Sequence, residues 1–381
     1  MRAAAAEMEL LSEIMSLKQR LSSLREKARD ADLVQLAHES NLRVCRQIPT
    51  LALIYQLRAH PSKVHDVVWS PSDRFVLTVG AEGLVIVWDA SSGLIHNVLE
   101  ASAVQPITVA ASGDASKIFC GGLCANVVLF NSTHRSEEDG YSFYENCVVF
   151  EHSSQVNSIV RVGESQLLTG SAKDGAILWD VESGNVLARF THATKLECVS
   201  LIGTSTEMGS CVTGANDGVI RQWDPRHPRN PVAQYEAHQS NVNCIRTLPN
   251  EINFVTGSDD AAIHLYDIRT DVVVSRYLDR RSLTKSPLME SESDAALSHL
   301  GSRIAEAVGI CDIAVSPSGR LIIAGSQDCG VYYWDLIQPT VCLCHETEPG
   351  PVVRVAMSYH KKALVMLTWE AKARIRIMRP H

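Results

Sequence analysis

Histidines and acids recur along this chain at fixed distances, and a histidine beside an aspartate is the raw material of general acid–base chemistry. His60, His152, His192 and His238 each stand about 28 residues ahead of an aromatic residue, and Asp174, Asp217, Asp260 and Asp328 each stand five or six residues ahead of one. A catalytic dyad at every station would repeat one active site several times over, so the pattern reads as structure. A Trp or Tyr buried between sheets carries a polar hydrogen that needs an acceptor. Thr78, Thr169, Thr213 and Thr256 lie ten residues before such aromatics. Asp, His, Thr and Trp together make a buried hydrogen-bond chain worth about 1 kcal/mol per bond. The cluster Cys342, Cys344, His345 resembles metal ligands, but strand alternation puts both sulfurs on one face without a second ligand pair. The sequence has no phosphate loop, no nucleophile elbow and no zinc-binding HExxH, so it offers no chemistry for an enzyme, no metal site and no cofactor.

Those residues need elements to position them. The aromatics Trp88, Phe130, Trp179, Trp223 and Tyr266 follow one another at 42 to 49 residues, and one longer step leads to Trp334. Each closes a similar phrase: TVGAEGLVIVWDA, CGGLCANVVLFN, TGSAKDGAILWDV, TGANDGVIRQWDP, TGSDDAAIHLYDIR and AGSQDCGVYYWDL. The period is that of a four-stranded propeller blade. A seventh unit, TWEAKARIRIM, has Ile377 and Met378 where the others have Trp-Asp, or Phe-Asn and Tyr-Asp. Seven blades close a ring, and the reading is an all-β, seven-bladed propeller over residues 47–381. The last unit lacks an outer strand, while the apolar run 50–57 precedes His60 unassigned. That segment is expected to complete the last blade, which removes a free sheet edge.

Two stretches depart from the repeat. In residues 1–46, Leu10, Ile14, Leu17, Leu21, Leu24, Ala28 and Ala31 are spaced alternately four and three, the seam of a coiled coil. The helix this implies, about 48 Å long, presents a narrow apolar stripe and needs a second strand. Folding back on the propeller wall is the alternative. Residues 279–305, rich in Ser and charge, read as an inserted exposed loop. There Ser282 and Thr284 follow Arg280 and Arg281, and Ser286 precedes Pro287, so all three are candidate phosphorylation sites.

The whole chain, 381 residues with 45% apolar content and a net charge of −8, has the composition of a soluble globular protein without a basic footprint for nucleic acid. It shows no signal peptide and no run of about 18 apolar residues. Its eleven cysteines are scattered as reduced core residues are. A cytosolic or nuclear setting is expected.

The heptad arm, ARDADL (28 to 33), and repeat phrases including CGGL (120 to 123), TGSDDA, LYDIR and SPSGRLIIAG (316 to 325) together resemble the beta subunit of heterotrimeric G proteins, a WD-repeat family. The resemblance implies a non-catalytic scaffold that pairs obligately with a gamma subunit through the helix. It implies docking of the GDP-bound alpha subunit on the narrow end of the propeller, with effector proteins taking the same face downstream of receptors. It also implies a cytoplasmic protein held at the inner face of the plasma membrane only through lipidated partners. The family's alpha-contact residues match here at Lys63, Leu123, Asp259 and Trp369. His65, Ala103, Gln105, Gln155, Lys195 and Asn241 stand on the same surface where the family has aromatics, methionine or acids. A WD-repeat adaptor outside heterotrimer signalling is the alternative that these departures leave open.

Overall fold

The computed structural model describes Ser16, Leu17 and Arg20, and residues 51–378 except 136–141, 203–209, 278–308, 237, 271, 340–341, 349, 361–362 and 370–371. Seven antiparallel four-stranded sheets stand around one axis. Blade one is β2 (Val64–Trp69), β3 (Phe75–Gly80), β4 (Leu84–Asp89) and β5 (Ile95–Glu100), running from the inside outward. Blade two is β6 (Pro106–Ala111), β7 (Lys117–Gly122), β8 (Asn126–Arg135) and β9 (Ser142–Glu151). Blade three is β10 (Val156–Val162), β11 (Gln166–Ser171), β12 (Gly175–Asp180) and β13 (Val186–Phe190). Blade four is β14 (Leu196–Ile202), β15 (Ser210–Ala215), β16 (Val219–Trp223) and β17 (Ala233–Glu236). Blade five is β18 (Val242–Thr247), β19 (Asn253–Ser258), β20 (Ile263–Asp267) and β21 (Val273–Tyr277). Blade six is β22 (Ile310–Val315), β23 (Leu321–Ser326), β24 (Gly330–Asp335) and β25 (Cys342–Thr347). Blade seven is β26 (Val352–Met357), β27 (Ala363–Thr368) and β28 (Lys372–Met378), with β1 (Leu51–Leu57) as its outermost strand.

The expected closure is therefore present: Leu51 pairs with Met378 and Leu57 with Ala373. The seam is reinforced from within. Trp69 Nε1 donates to the Ala356 carbonyl at 3.1 Å, and the Asp73 carboxylate accepts the backbone N–H groups of Tyr359 and His360. Each second strand is buried from its second residue onward, and β3 and β27 along their whole length, because a blade packs on either face. FVLTVG of β3 and ALVMLT of β27 read as continuous apolar runs for that reason. Outermost strands stay half open: β13 buries only Ala188 and Phe190, and β5 only Leu99. Among the described residues of the heptad arm, Leu17 is helical and 56% exposed; Leu10, Ile14, Leu21, Leu24 and Ala28 lie outside the described residues, as do Ser282, Thr284 and Ser286 of the insert.

The hydrogen-bond chains form. Indole N–H groups of Trp88, Trp179 and Trp223 donate to Thr78, Thr169 and Thr213, each at 2.8 Å, and His60, His152 and His192 reach the same hydroxyls. Blade one uses Glu82, bonded to His60 and Ser62, where blades three to six have Asp174, Asp217, Asp260 and Asp328. Blade seven corrects the reading of its closing motif. Leu364 faces Arg376 in the ladder position where Val76 faces Trp88, so Arg376, one residue before Ile377, occupies the aromatic's register. Met366 and Glu348 likewise stand where blade one has Thr78 and His60.

A second set of ties runs through the innermost strands. Arg246 of blade five pairs with Asp312 of blade six at 2.7 Å, Asp312 accepts from Val355 N of blade seven, Arg354 of blade seven pairs with Asp66 of blade one, and Asp66 accepts from Val109 N of blade two. Burial opposes the Arg354 charge, but Asp66 and Asp312 outweigh it and raise its pKa. Both aspartates are buried, so each is paired and hydrogen-bonded as a desolvated carboxylate must be.

Candidate functional site

One face of the ring is built from two kinds of connection. In an antiparallel blade, the loop entering the innermost strand and the turn between the second and third strands emerge at the same end. The residue just before each innermost strand is Lys63, Gln105, Gln155, Lys195, Asn241, Gly309 or Pro351. In all seven blades its carbonyl accepts a backbone N–H from the turn, donated in the same order by Ala81, Leu123, Ala172, Asn216, Asp259, Gln327 and Trp369 at 2.8 to 3.1 Å. Seven equivalent stations thus surround the mouth of the channel, each a fixed pair of backbone positions carrying variable side chains.

Eight of the nine predicted docking residues fall on these stations: Lys63, Gln105, Leu123, Gln155, Lys195, Asn241, Asp259 and Trp369. His65 lies two residues along, in β2. The structure brings the set together. Ala103 sits in the exposed middle of the 3-10 turn Ser102–Val104, beside Gln105. Sequence reasoning passed over Ala81, Ala172, Asn216, Gly309, Gln327 and Pro351, although their positions relative to the strands follow the same count.

The stations are chemically unequal. At the junction of blades seven and one, Lys63 Nζ lies 3.5 Å from the centre of the Trp369 ring, and Trp369 is 50% exposed. Trp369 therefore lies at the surface, not in the core. A cation stacked on a half-open indole offers a flat apolar surface with a charge at its edge, the composition of an interface anchor. Burial lowers the Lys63 pKa, and burial with the neighbouring Lys63 and Arg354 charges lowers that of His65, which keeps its imidazole neutral near pH 7. Leu123, 51% exposed, is a second apolar point.

Around the rest of the mouth amides recur, at Gln105, Gln155, Asn216, Asn241 and Gln327. Gln155 donates to Asn157, Asn157 to the Leu196 carbonyl and to Glu197, and Lys195 pairs with Glu197 at 2.7 Å. Asp259 accepts from Asn241, Asn243 and Gln327 and so bridges blades five and six. That network fixes the Asp259 carboxylate as a shared acceptor within the fold, so its role is structural as well as superficial.

Comparison with known proteins gives the same architecture. A sequence family described as WD domain, G-beta repeat matches residues 51–89, 229–267 and 300–335. The chain is 27% identical over 378 residues to the guanine nucleotide-binding protein subunit beta of Zea mays, a match covering 95% of this chain and 93% of the relative. It is 26% identical over 376 residues to the protein of that name from Oryza sativa subsp. japonica, covering 95% and 93%. The corresponding subunit of Saccharomyces cerevisiae is 23% identical over 380 residues, covering 95% and 88%.

Proposed function

Starting from a WD-repeat propeller protein similar along nearly its whole length to G-protein beta subunits, we propose that this chain is a divergent beta-type scaffold without catalytic activity. Its seven-station face docks the GDP-bound form of an alpha-type GTPase subunit. Its heptad arm pairs with a short gamma-type helix, whose lipid holds the complex at the inner face of the plasma membrane. After the alpha-type subunit leaves, the same face serves effector proteins downstream of receptors.

The observation that carries this reading is the Lys63–Trp369 stack, standing on the same ring of stations as Leu123. It places a cation and two half-exposed apolar side chains on one preformed surface. The experiment is coexpression with a gamma-type helix followed by binding of GDP-loaded alpha-type subunit. A stable 1:1 complex that binds the GDP form, and releases it in the GTP form, supports the proposal. A well-behaved monomer that ignores both partners overturns it.

A second reading has its own observation. Gln105, Gln155 and Asn241 give the mouth a neutral, amide-rich rim, which suits a WD-repeat adaptor that grips backbone and polar groups of another partner. Self-association through residues 1–35, with no alpha-type binding, would favour it.

A further inference from the structure

The innermost strands leave hydrogen-bond donors without acceptors toward the end of the channel opposite the stations. Arg354 stands midway along β26, Arg246 near the end of β18 and Arg161 near the end of β10, while Tyr359 lies just past the end of β26. Asp73 of blade one holds the Tyr359 backbone N–H, yet its side chain is half exposed. Burial raises the phenol pKa, and the charges of Arg246 and Arg161 act against that rise. Blades five and three are not neighbours of blade seven, so a blade-seven phenol within reach of both lies over the axis. Arg354 in turn acts on Arg246, so four side chains from three blades share one space.

The acceptors there are committed. Asp66 Oδ1 accepts from Val67 N and Arg354 Nε, and its Oδ2 accepts from Val109 N. Asp312 Oδ1 accepts from Arg246 Nη2 and its Oδ2 from Val355 N, while Asp73 takes the N–H groups of Tyr359 and His360. The donors are not committed. Arg354 makes its side-chain hydrogen bond through Nε alone, and Arg246 uses Nη1 on the Ile245 carbonyl and Nη2 on Asp312. Both Nη groups of Arg354, Nε of Arg246 and the Tyr359 hydroxyl have no acceptor among the described residues. The Arg246 and Arg354 side chains are 41% and 27% exposed, so these donors stay reachable. Arg161 pairs with Glu164, but Glu164 is mostly in solvent, where such a pair is weak and readily exchanged.

We propose that the channel end formed by Arg161, Arg246, Arg354 and Tyr359 is a binding site for a compact oxyanion, a phosphate ion or the phosphate group of a small monoester. A guanidinium has donors and no acceptor, so its best partner is a group that only accepts and carries negative charge. The donors here approach from three blades around the axis. A tetrahedral group offers an oxygen in each direction, whereas a planar carboxylate offers two. The bound anion joins blade three to the Arg246–Asp312–Arg354–Asp66 chain of ties, from which Arg161 otherwise stands apart. The site lies at the far end from the stations, so both can be occupied together.

Isothermal titration of the full chain with inorganic phosphate, at an ionic strength held constant with chloride, tests this. A single phosphate should bind per chain. Tyr359→Phe keeps the ring and removes the hydroxyl, and should weaken binding about fivefold. Arg161→Gln should weaken it about tenfold. Neither side chain carries the fold, so the melting temperature of both variants without phosphate should stay at the parent value. Phenyl phosphate separates the two sources: binding as tight as that of the ion assigns the site to a monoester, and loss of binding assigns it to the free ion. Absence of heat beyond the chloride control overturns the proposal, as does parental affinity in both variants, which places the ion elsewhere. Equal binding of acetate also overturns it, because the site then selects charge and not a tetrahedral group.

Discussion

Arg221 Nη2 lies 2.8 Å from Asp217 Oδ2 in blade four, and this contact draws away the carboxylate that His192 has counterparts for elsewhere. His238 stands 3.0 Å from Asp260 and His152 stands 3.4 Å from Asp174, whereas His192 has no carboxylate at ion-pair distance among the described residues; the buried Nδ1 atoms of His152 and His192 both lack a hydrogen-bond partner there. Arg221 faces Thr213 in the ladder, the position where blades one and three have Ile86 and Ile177. One side chain thus rewires a repeat whose other members are in place.

Restoring the repeat should restore the bond. In Arg221→Ile, Asp217 is free to accept from His192, and a positive charge that depresses the histidine is gone. The His192 pKa, which burial and Arg221 pull down to about 4, should rise toward the ordinary value near 6.5. Titration of the ring protons by NMR measures it. A value unchanged from the parent protein would show that burial alone sets it.

Acid should weaken the fold in a defined window. Burial lowers the His192 pKa to about 4, and burial with His238 lowers that of His264, stacked on His238 at 4.2 Å, to about 3. Above pH 6.5 both histidines are neutral in either state and the full stability is present. As pH falls below 6.5 the unfolded chain takes up protons that the folded one refuses, so stability is lost progressively down to these folded values. The unfolding free energies from urea titrations at pH 7 and pH 5 should differ by on the order of 4 kcal/mol, about 2 from each histidine. His264→Ile, matching Ile86 and Ile177, should remove part of that difference.

The indoles should not be energetically equal. Trp179 is 5% exposed and bonded to Thr169, and Trp179→Ala should cost about 3 kcal/mol or more through the cavity and the broken chain. Trp334 is also buried, but its Nε1 has no partner among the described residues, because Ala324 stands opposite Tyr332 where blades one, three, four and five place threonine. Trp334→Phe should therefore cost about 1 kcal/mol less than Trp179→Phe. Thermal melts of the two variants decide it.

Contact residues and core residues separate in the same way. Trp369→Ala and Lys63→Ala should each change stability by less than about 0.5 kcal/mol, since both project from the rim. Each should lower affinity for an alpha-type partner about tenfold or more. A large fall in melting temperature for either would assign it to the fold instead.

Much of this architecture was legible in residue spacing. The tetrads recur because a buried indole or phenol needs its acceptor at one ladder position, so Thr78, Thr169, Thr213 and Thr256 announce the blades and their register. The closing strand showed as an apolar run without a blade of its own. The innermost ties were not legible: Asp66, Asp312, Arg246 and Arg354 look like ordinary polar positions of alternating strands until four separate blades are brought around one axis. Blade seven misled by one residue for a related reason. With Arg376, Met366 and Glu348 in the tetrad positions, no Trp, Thr or His remained to set the register. The proposed docking face was named through resemblance, yet its regularity follows from the carbonyl just before each innermost strand, a position that spacing alone could have found.

The pairing of Leu51–Leu57 with Lys372–Met378 sets the order of synthesis against the order of assembly. On a ribosome the earliest of these strands emerges first and finds its neighbour last, after six other blades have been made. Throughout that interval LALIYQL is an unclaimed, strongly apolar ribbon able to template on any other nascent chain. The last pairing to form is thus the one whose first strand has waited longest, and the ring closes only when the final strand has been made.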